Sequence, residues 1–273
     1  MQRAPLLLAF AMLSACQCGP ADLYIGNGPD GGKGGGTAAG TGGSGGSGGS
    51  GGGNGAGVGG SGGSEDGGNC TAILATVRDF QDSHPDFEAF LGSQQGLVRA
   101  DLDAQHKPVH AAAGPTSVTS GPANFAQWYR DVSGVNQAFE VPLPLQQTGP
   151  ATFVYDNGDF FPLDGRGFGN QGRNHNFHFT TEIHTSFSYK GGERFTFRGD
   201  DDVWVFVNRK LALDLGGVHG AEEGTINFDA QAATLGLTVG QTYPLDVFHA
   251  ERHTTESNFR IETSIECFLG GIN

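Results

Sequence analysis

The sequence predicts a mainly β fold: an antiparallel β-sandwich or jelly-roll-like domain with one or two short helices, preceded by a disordered Gly/Ser tether. Three observations carry this. From about Phe139 onward, apolar segments alternate or run between Gly, Asn and Asp turns. Helical periodicity is confined to two short segments. Beyond the Gly-rich N-terminal tract, the chain is rich in Phe, Val and Thr, which suit a pleated surface.

The first residues, MQRAPLLLAFAMLSAC, read as an address. Arg3 gives a positive start, and Leu6 to Leu13 form an apolar core too short to span a bilayer. Leu13-Ser14-Ala15-Cys16 resembles a bacterial lipobox. That resemblance implies a signal peptide over 1–15, lipidation of Cys16 and a membrane anchor, with Gln17 in the next position implying the outer membrane. The alternative is an ordinary secretory signal cut near Ala15, which also exports the chain.

Residues 16–68 form the tether, centred on TGGSGGSGGSGGGNG. With almost no side chains to bury, it cannot offset its ordering entropy. About 40 such residues have a root-mean-square reach of roughly 30–40 Å, enough to hold a head off a surface. A collagen reading fails, because Gly lacks a strict three-residue period with Pro.

Residues 69–273 are long enough for one domain with its own core. The chain is acidic, at −14 from 29 Asp and Glu against 15 Lys and Arg. This argues against nucleic acid as a partner, since phosphate binding needs clustered Lys and Arg; divalent cations or neutral ligands fit better. Cys70 opens the domain and Cys267 nearly closes it, so a disulfide joining its ends suits an exported protein. Closing so long a loop is worth roughly 5 kcal/mol as an upper figure. Two unpaired thiols are the alternative, and Cys18 is left over at the base of the tether.

Along the domain, ILATVRDF reads as a strand. SHPDFEAFLG reads as a short helix, with Pro85 in its first turn, Asp86 and Glu88 at its positive end and Gly92 to stop it. Phe125, Trp128 and Tyr129 at i, i+3, i+4 mark the buried face of a second helix around 124–132. FEVPLPLQQ, ATFVYDNGDFFPL, FHFTTEIHTSFSY, ERFTFRG, VWVFVNRKLALDL, TINFDA and YPLDVFHAERHT read as strands, with NRK as a hairpin turn. VWVFV is apolar on both faces, which predicts a central strand covered on both sides, with the early helices packed at one end.

RGDDDVWVF carries the strongest chemical signal. Three consecutive carboxylates at the mouth of a buried strand repel one another unless something positive meets them. A strand-end loop presenting Asp200, Asp201 and Asp202 offers hard oxygens of the kind Ca²⁺ prefers. Since Ca²⁺ takes six to eight ligands, other loops must contribute, and HTTESN supplies Glu256, Ser257, Asn258 and backbone carbonyls. A solvated acidic turn without metal is the plainer reading. The Arg198-Gly199-Asp200 tripeptide is read as coincidence.

In HAERH, strand alternation puts His249, Glu251 and His253 on one face and Phe248, Ala250 and Arg252 on the other. That face suits Zn²⁺ with His219, contact with a ligand, or a hydrogen-bonded scaffold with Arg252 paired to a carboxylate. DNGDFFPLDGRGFGNQGRNHNFHFTTE reads equally as a binding loop or a turn-rich connection. No nucleophile elbow, phosphate loop or Cys/His dyad is present, and no catalytic residue is assigned.

VRDF with HPDFE, FAQWYRDVSGVN, FFPLDGRGFG, HNFHFTTEIHTSFSYKGGERFTFRGDDDVWVFVNRKLALDLGGVHG and FHAERHTTESNFRIET together resemble the fibro-slime domain, a relative of the protective-antigen-type β-sandwich that includes fungal flocculin lectins. The resemblance implies that Asp200 and Asp201, joined by a cis peptide, hold Ca²⁺ with Asn258, and that the ion coordinates sugar hydroxyls. Asp202 departs from the Gly or small residue common at its position, and HAERH belongs to the fibro-slime branch rather than the flocculins. The expected function is a surface-tethered, non-enzymatic, calcium-dependent module for carbohydrate or extracellular polysaccharide. Its expected ligand contacts are Asp200, Asp201, Glu256, Asn258, His219, His249 and His253. The alternatives are a matrix or protein-interaction domain with structural calcium, and a metal-dependent hydrolase using HAERH.

Overall fold

Val203, Val205 and Val207 point into one apolar cluster while Trp204 and Phe206 point into another, so the strand carrying them divides two cores. The computed structural model describes residues 72–270. Its elements are β1 (Ala72–Phe80), β2 (Gly92–Ser93), α1 (Pro122–Phe125), β3 (Asn136–Pro144), β4 (Gln146–Gly149), β5 (Thr152–Asn157), β6 (Phe179–Ser188), β7 (Arg194–Gly199), β8 (Asp202–Val207), β9 (Lys210–Leu215), β10 (Gly217–Val218), β11 (Glu222–Asn227), α2 (Phe228–Leu235), β12 (Thr242–Glu251) and β13 (Phe259–Thr263).

Two antiparallel sheets form the sandwich. One has six strands in the order β3-β1-β6-β12-β8-β9, the other five in the order β11-β7-β13-β5-β4, and β2 pairs with β10 as a small third ladder. Alternate residues of the facing strands fill the space between them: Val77, Ile183, Val205 and Val247 meet Phe195, Phe197, Phe259 and Ile261. Strand period and two-sheet burial therefore agree, as a sandwich requires.

The predicted strands form, with two adjustments. β8 is covered on both faces but lies next to the edge; β6 and β12 are the central pair. TINFDA is strand only to Asn227. There Asn227 caps α2 by accepting from the Ala230 N–H, and Gly236 closes the helix in the left-handed region at φ 72°. The NRK hairpin forms with Asn208 and Arg209 both left-handed, at φ 51° and 66°, the paired positive φ that matches strand twist.

The predicted helix over 83–92 is instead a series of turns. Its side chains are drawn in different directions. The Asp86 carboxylate accepts from Ser120 N–H and hydroxyl and from Trp128 Nε1, Phe87 stacks on Phe80 at 4.7 Å, and Glu88 is left-handed at φ 60°. Around 124–132 only α1 is helical, although Phe125, Trp128 and Tyr129 are buried as their spacing predicts. The carbonyls of Gln127 and Arg130 accept from the Asn136 amide, which holds the chain in turns there. The early segment does not pack at one end of the sandwich. It lies on the outer face of the six-stranded sheet, where Leu97, Val118, Phe125 and Trp128 cover Trp204, Phe206 and Phe248.

β1 begins, and residues 268–269 leave, at the Ser186–Ser188 end of β6. β7, β12 and the start of β13 meet at the opposite end, across strands up to ten residues long. Cys267 is disulfide-bonded. Cys16, Cys18 and Cys70, with the signal peptide and tether, lie outside the described residues. Among the described residues no helix is long and apolar enough to cross a membrane.

Candidate functional site

Two connections change sheets side by side at that far end. Asp200 and Asp201 carry the chain from β7 in the five-stranded sheet to β8 in the six-stranded one. Residues 252–258 carry it back from β12 to β13. The two strand-end loops singled out in the sequence are thus neighbours because each bridges the same pair of sheets.

The contact between them is close. Asp200 Oδ2 accepts from the Asn258 backbone N–H at 2.6 Å and from its side-chain Nδ2 at 2.8 Å, and Asp200 N donates to Asn258 O. Gly199 has no room for a side chain, since a Cβ would lie 2.6 Å from the Phe197 ring and 2.8 Å from Asn258 O. Asp201 takes the left-handed conformation at φ 51°, a strained choice for a side-chain-bearing residue. Its Oδ2 accepts from the N–H groups of Arg252 and His253, and its Oδ1 from that of His219. One carboxylate thereby gathers two separate segments onto its own. The expected cis peptide is not formed; no peptide among the described residues is cis.

Asp202 plays a different part from its neighbours. It is fully buried, and its Oδ2 accepts from Arg252 Nε at 2.6 Å while Oδ1 accepts from Gly217 N–H. Arg252, also fully buried, donates through Nη1 to the carbonyls of Asp86 and Val118 and lies 4.7 Å over the Trp128 ring. The expected ligand Asp202 is therefore committed to a guanidinium, as the scaffold reading of HAERH anticipated for Arg252.

The HAERH face divides. His249 sits between the sheets among Phe160, Phe179, Phe197 and Phe259, and burial lowers its pKa to about 3. Glu251 is buried beside the two sheet crossings; burial, then the charge of Asp201, pushes its carboxyl well above the usual range. His253 leaves the strand and lies partly exposed, with Nδ1 at 2.9 Å from Thr254 O. His219 turns its ring to the Gly220 and Leu215 carbonyls. Among the described residues no group of three or more His, Cys, Asp or Glu side chains is arranged to hold a metal ion, so the zinc set expected from HAERH and His219 does not assemble.

A cavity of about 260 Å³ opens over the two crossings, lined by Asp200, Asp201, His219, His253 and Glu256 among others. Asp200 Oδ1 is buried without a hydrogen-bond partner. Burial, opposed by Arg252, raises Asp201 to about 7. His249 lies in the core and not on the cavity, so its expected ligand contact is withdrawn. Leu91, which carried no chemical signal in the sequence, is also on the wall. The turn-rich stretch 158–178 serves as a packed connection in part: Phe160 and Leu163 are buried in the core, and Phe160 N–H donates to Ser257 O.

Residues 167–267 match the PA14 domain. That range contains both sheet crossings, His219 and the whole of HAERH. Protein psiQ of Dictyostelium discoideum is 44% identical over 195 residues, covering 66% of this chain and 19% of the relative. Protein psiD of the same organism is 40% identical over 210 residues, covering 71% of this chain and 41% of the relative. The chain thus spans less than half the length of these curated relatives. Among solved structures, a PA14 sugar-binding domain from an RTX adhesin is 12% identical, covers 71% of this chain and 89% of its own, and superposes with a TM-score of 0.32. The Epithelial Adhesin 9 A domain from Candida glabrata, in complex with Galb1-4GlcNAc, is 11% identical, covers 73% and 90%, and has a TM-score of 0.33.

Proposed function

We propose that this chain is a calcium-dependent carbohydrate-binding head of the fibro-slime branch, held off a cell surface by its Gly/Ser tether and a lipid on Cys16. The observation that carries the reading is the pairing of Asp200 with Asn258, and of Asp201 with the N–H groups of Arg252, His253 and His219, at the adjoining sheet crossings beside a cavity of about 260 Å³. The residues fit a hard cation: Asp200 Oδ1 is a buried oxygen without a donor, and Asp201 bears a charge that burial disfavours. Asp200, Asp201 and backbone carbonyls would hold Ca²⁺, Asn258 would add its side-chain oxygen once its amide turns over from the Nδ2 hydrogen bond to Asp200, and Asp202 is excluded by its bond to Arg252. A bound Ca²⁺ supplies open coordination positions for vicinal hydroxyls. His219, His253 and Glu256 border the same space and would orient the ligand through hydrogen bonds.

The anchoring logic supports this. Ala72 and Leu269 both lie at the Ser186 end of β6, opposite the end that carries the cavity. A Cys70–Cys267 bond would close the tethered end.

The test is retention of the whole chain on an array of glycans and cell-wall polysaccharides, in calcium and in chelator. Retention that disappears in chelator and in Asp200→Ala is expected. Asp200→Ala loses the two Asn258 hydrogen bonds, at a cost of about 1–3 kcal/mol, and should remain folded. Undiminished retention by that variant would refute the metal bridge. The same residues join the two sheets, which favours calcium as a structural clamp as the second reading. Calcium-raised melting with an empty array in both arms would select it.

A further inference from the structure

Two hydrophobic side chains line the cavity, the buried Val218 and the exposed Leu91, and Leu91 comes from outside the PA14 match. Leu91 is 69% exposed, yet it lines the same cavity as Asp200, Asp201 and His253. Single exposed leucines are ordinary on protein surfaces. What distinguishes this one is how its segment is held. On one side, Glu88 N–H donates to Arg252 O at 2.8 Å, and the Glu88 carboxylate accepts from Thr254 N–H and pairs with His178 Nε2. On the other, Gly92–Ser93 pairs with Gly217–Val218, and Gln94 N–H donates to Gly216 O at 2.7 Å.

Leu91 is thus suspended between the two segments whose N–H groups, at Arg252, His253 and His219, grasp the Asp201 carboxylate. Its backbone position is fixed relative to the polar end of the cavity, while its side chain is left uncovered. An exposed apolar group on the same cavity as carboxylates and histidines matches an amphipathic ligand, with hydroxyls on one side and a C–H face on the other, as in a pyranose.

We propose that Leu91 is a specificity-determining residue of this site: it presents an apolar wall to the C–H face of the sugar, contributed by the segment on the outer face of the six-stranded sheet. This rests on the carbohydrate reading above. The wall selects sugars whose C–H face is continuous and disfavours those carrying an axial hydroxyl there.

The experiment compares the whole chain with Leu91→Gln and Leu91→Trp on the same calcium-containing array, and measures Ca²⁺ affinity by titration with the metal alone. Because Leu91 is exposed, both variants should fold with unchanged melting. Leu91→Gln should weaken retention of the strongest wild-type ligand about tenfold, Leu91→Trp should reorder the ligands, and both should bind Ca²⁺ within twofold of wild type. Retention and ranking unchanged in both variants would overturn the role of Leu91 while leaving the lectin reading intact. An array empty for wild type would overturn both together, and altered Ca²⁺ affinity would show that Leu91 acts on the metal loop and not on the sugar.

Discussion

Among the ion pairs of the described residues, Arg252 with Asp202 is the one whose side chains are both fully buried. A buried ion pair adds little against an apolar replacement of the same volume, but removing one partner leaves a charge without compensation. Arg252→Met should therefore cost about 3–5 kcal/mol in denaturant unfolding. Arg252→Met combined with Asp202→Leu should recover much of that loss. His184 is a second such residue. Burial alone would lower its pKa, but hydrogen bonds to Asp246 and Glu182, reinforced by their charges, raise it to about 9. Glu182 also receives Arg78 and Lys107, and its own pKa falls to about 2. A folded pKa above the unfolded value means that His184 contributes fully below about pH 6.5 and is lost as pH rises through about 9. His184→Gln should destabilise by about 1–3 kcal/mol at pH 6, and by much less at pH 10. An equal loss at both values would exclude the imidazolium.

At the scale of elements, the β8–β9 hairpin shows how a local signal is used twice. Asn208 tolerates the left-handed conformation its turn needs, and its amide also donates to Leu235 O at the end of α2. Asn208→Val should cost about 1–3 kcal/mol through backbone strain and the lost bond, read by thermal unfolding. The hairpin was legible because paired positive φ leaves few residue choices. The turns over 83–92 were not: Pro85, Asp86 and Glu88 satisfy the local grammar of a helix start. The groups that overrule it, Ser120, Trp128 and Arg252, lie between 30 and 170 residues further along. α2 was missed for the opposite reason, since TINFDA continues a strand pattern up to the capping Asn227 and Gly236 is its only stop signal.

For the whole molecule, calcium held where two crossings join two sheets should act on global stability. Free Ca²⁺ at 100 times its Kd would add about 2.7 kcal/mol by mass action, and chelation should lower the melting temperature accordingly. A melting curve indifferent to both would remove the cation from that junction. What the sequence by itself determined was the fold class and which loops meet: alternating apolar strands specify a sandwich, and DDD against VWVFV with HTTESN names the neighbouring crossings. Those features are local, because side-chain alternation and charge repulsion are written in adjacent residues. The tertiary structure decided which carboxylate does what. Asp202 turns inward to Arg252, Asp201 gathers two segments, and Asp200 keeps one oxygen without a partner. It also decided that His249 belongs to the core and that Leu91 belongs to the cavity. Identical neighbouring side chains are separated only by what packs against them, and that is set by strands and loops distant in the chain.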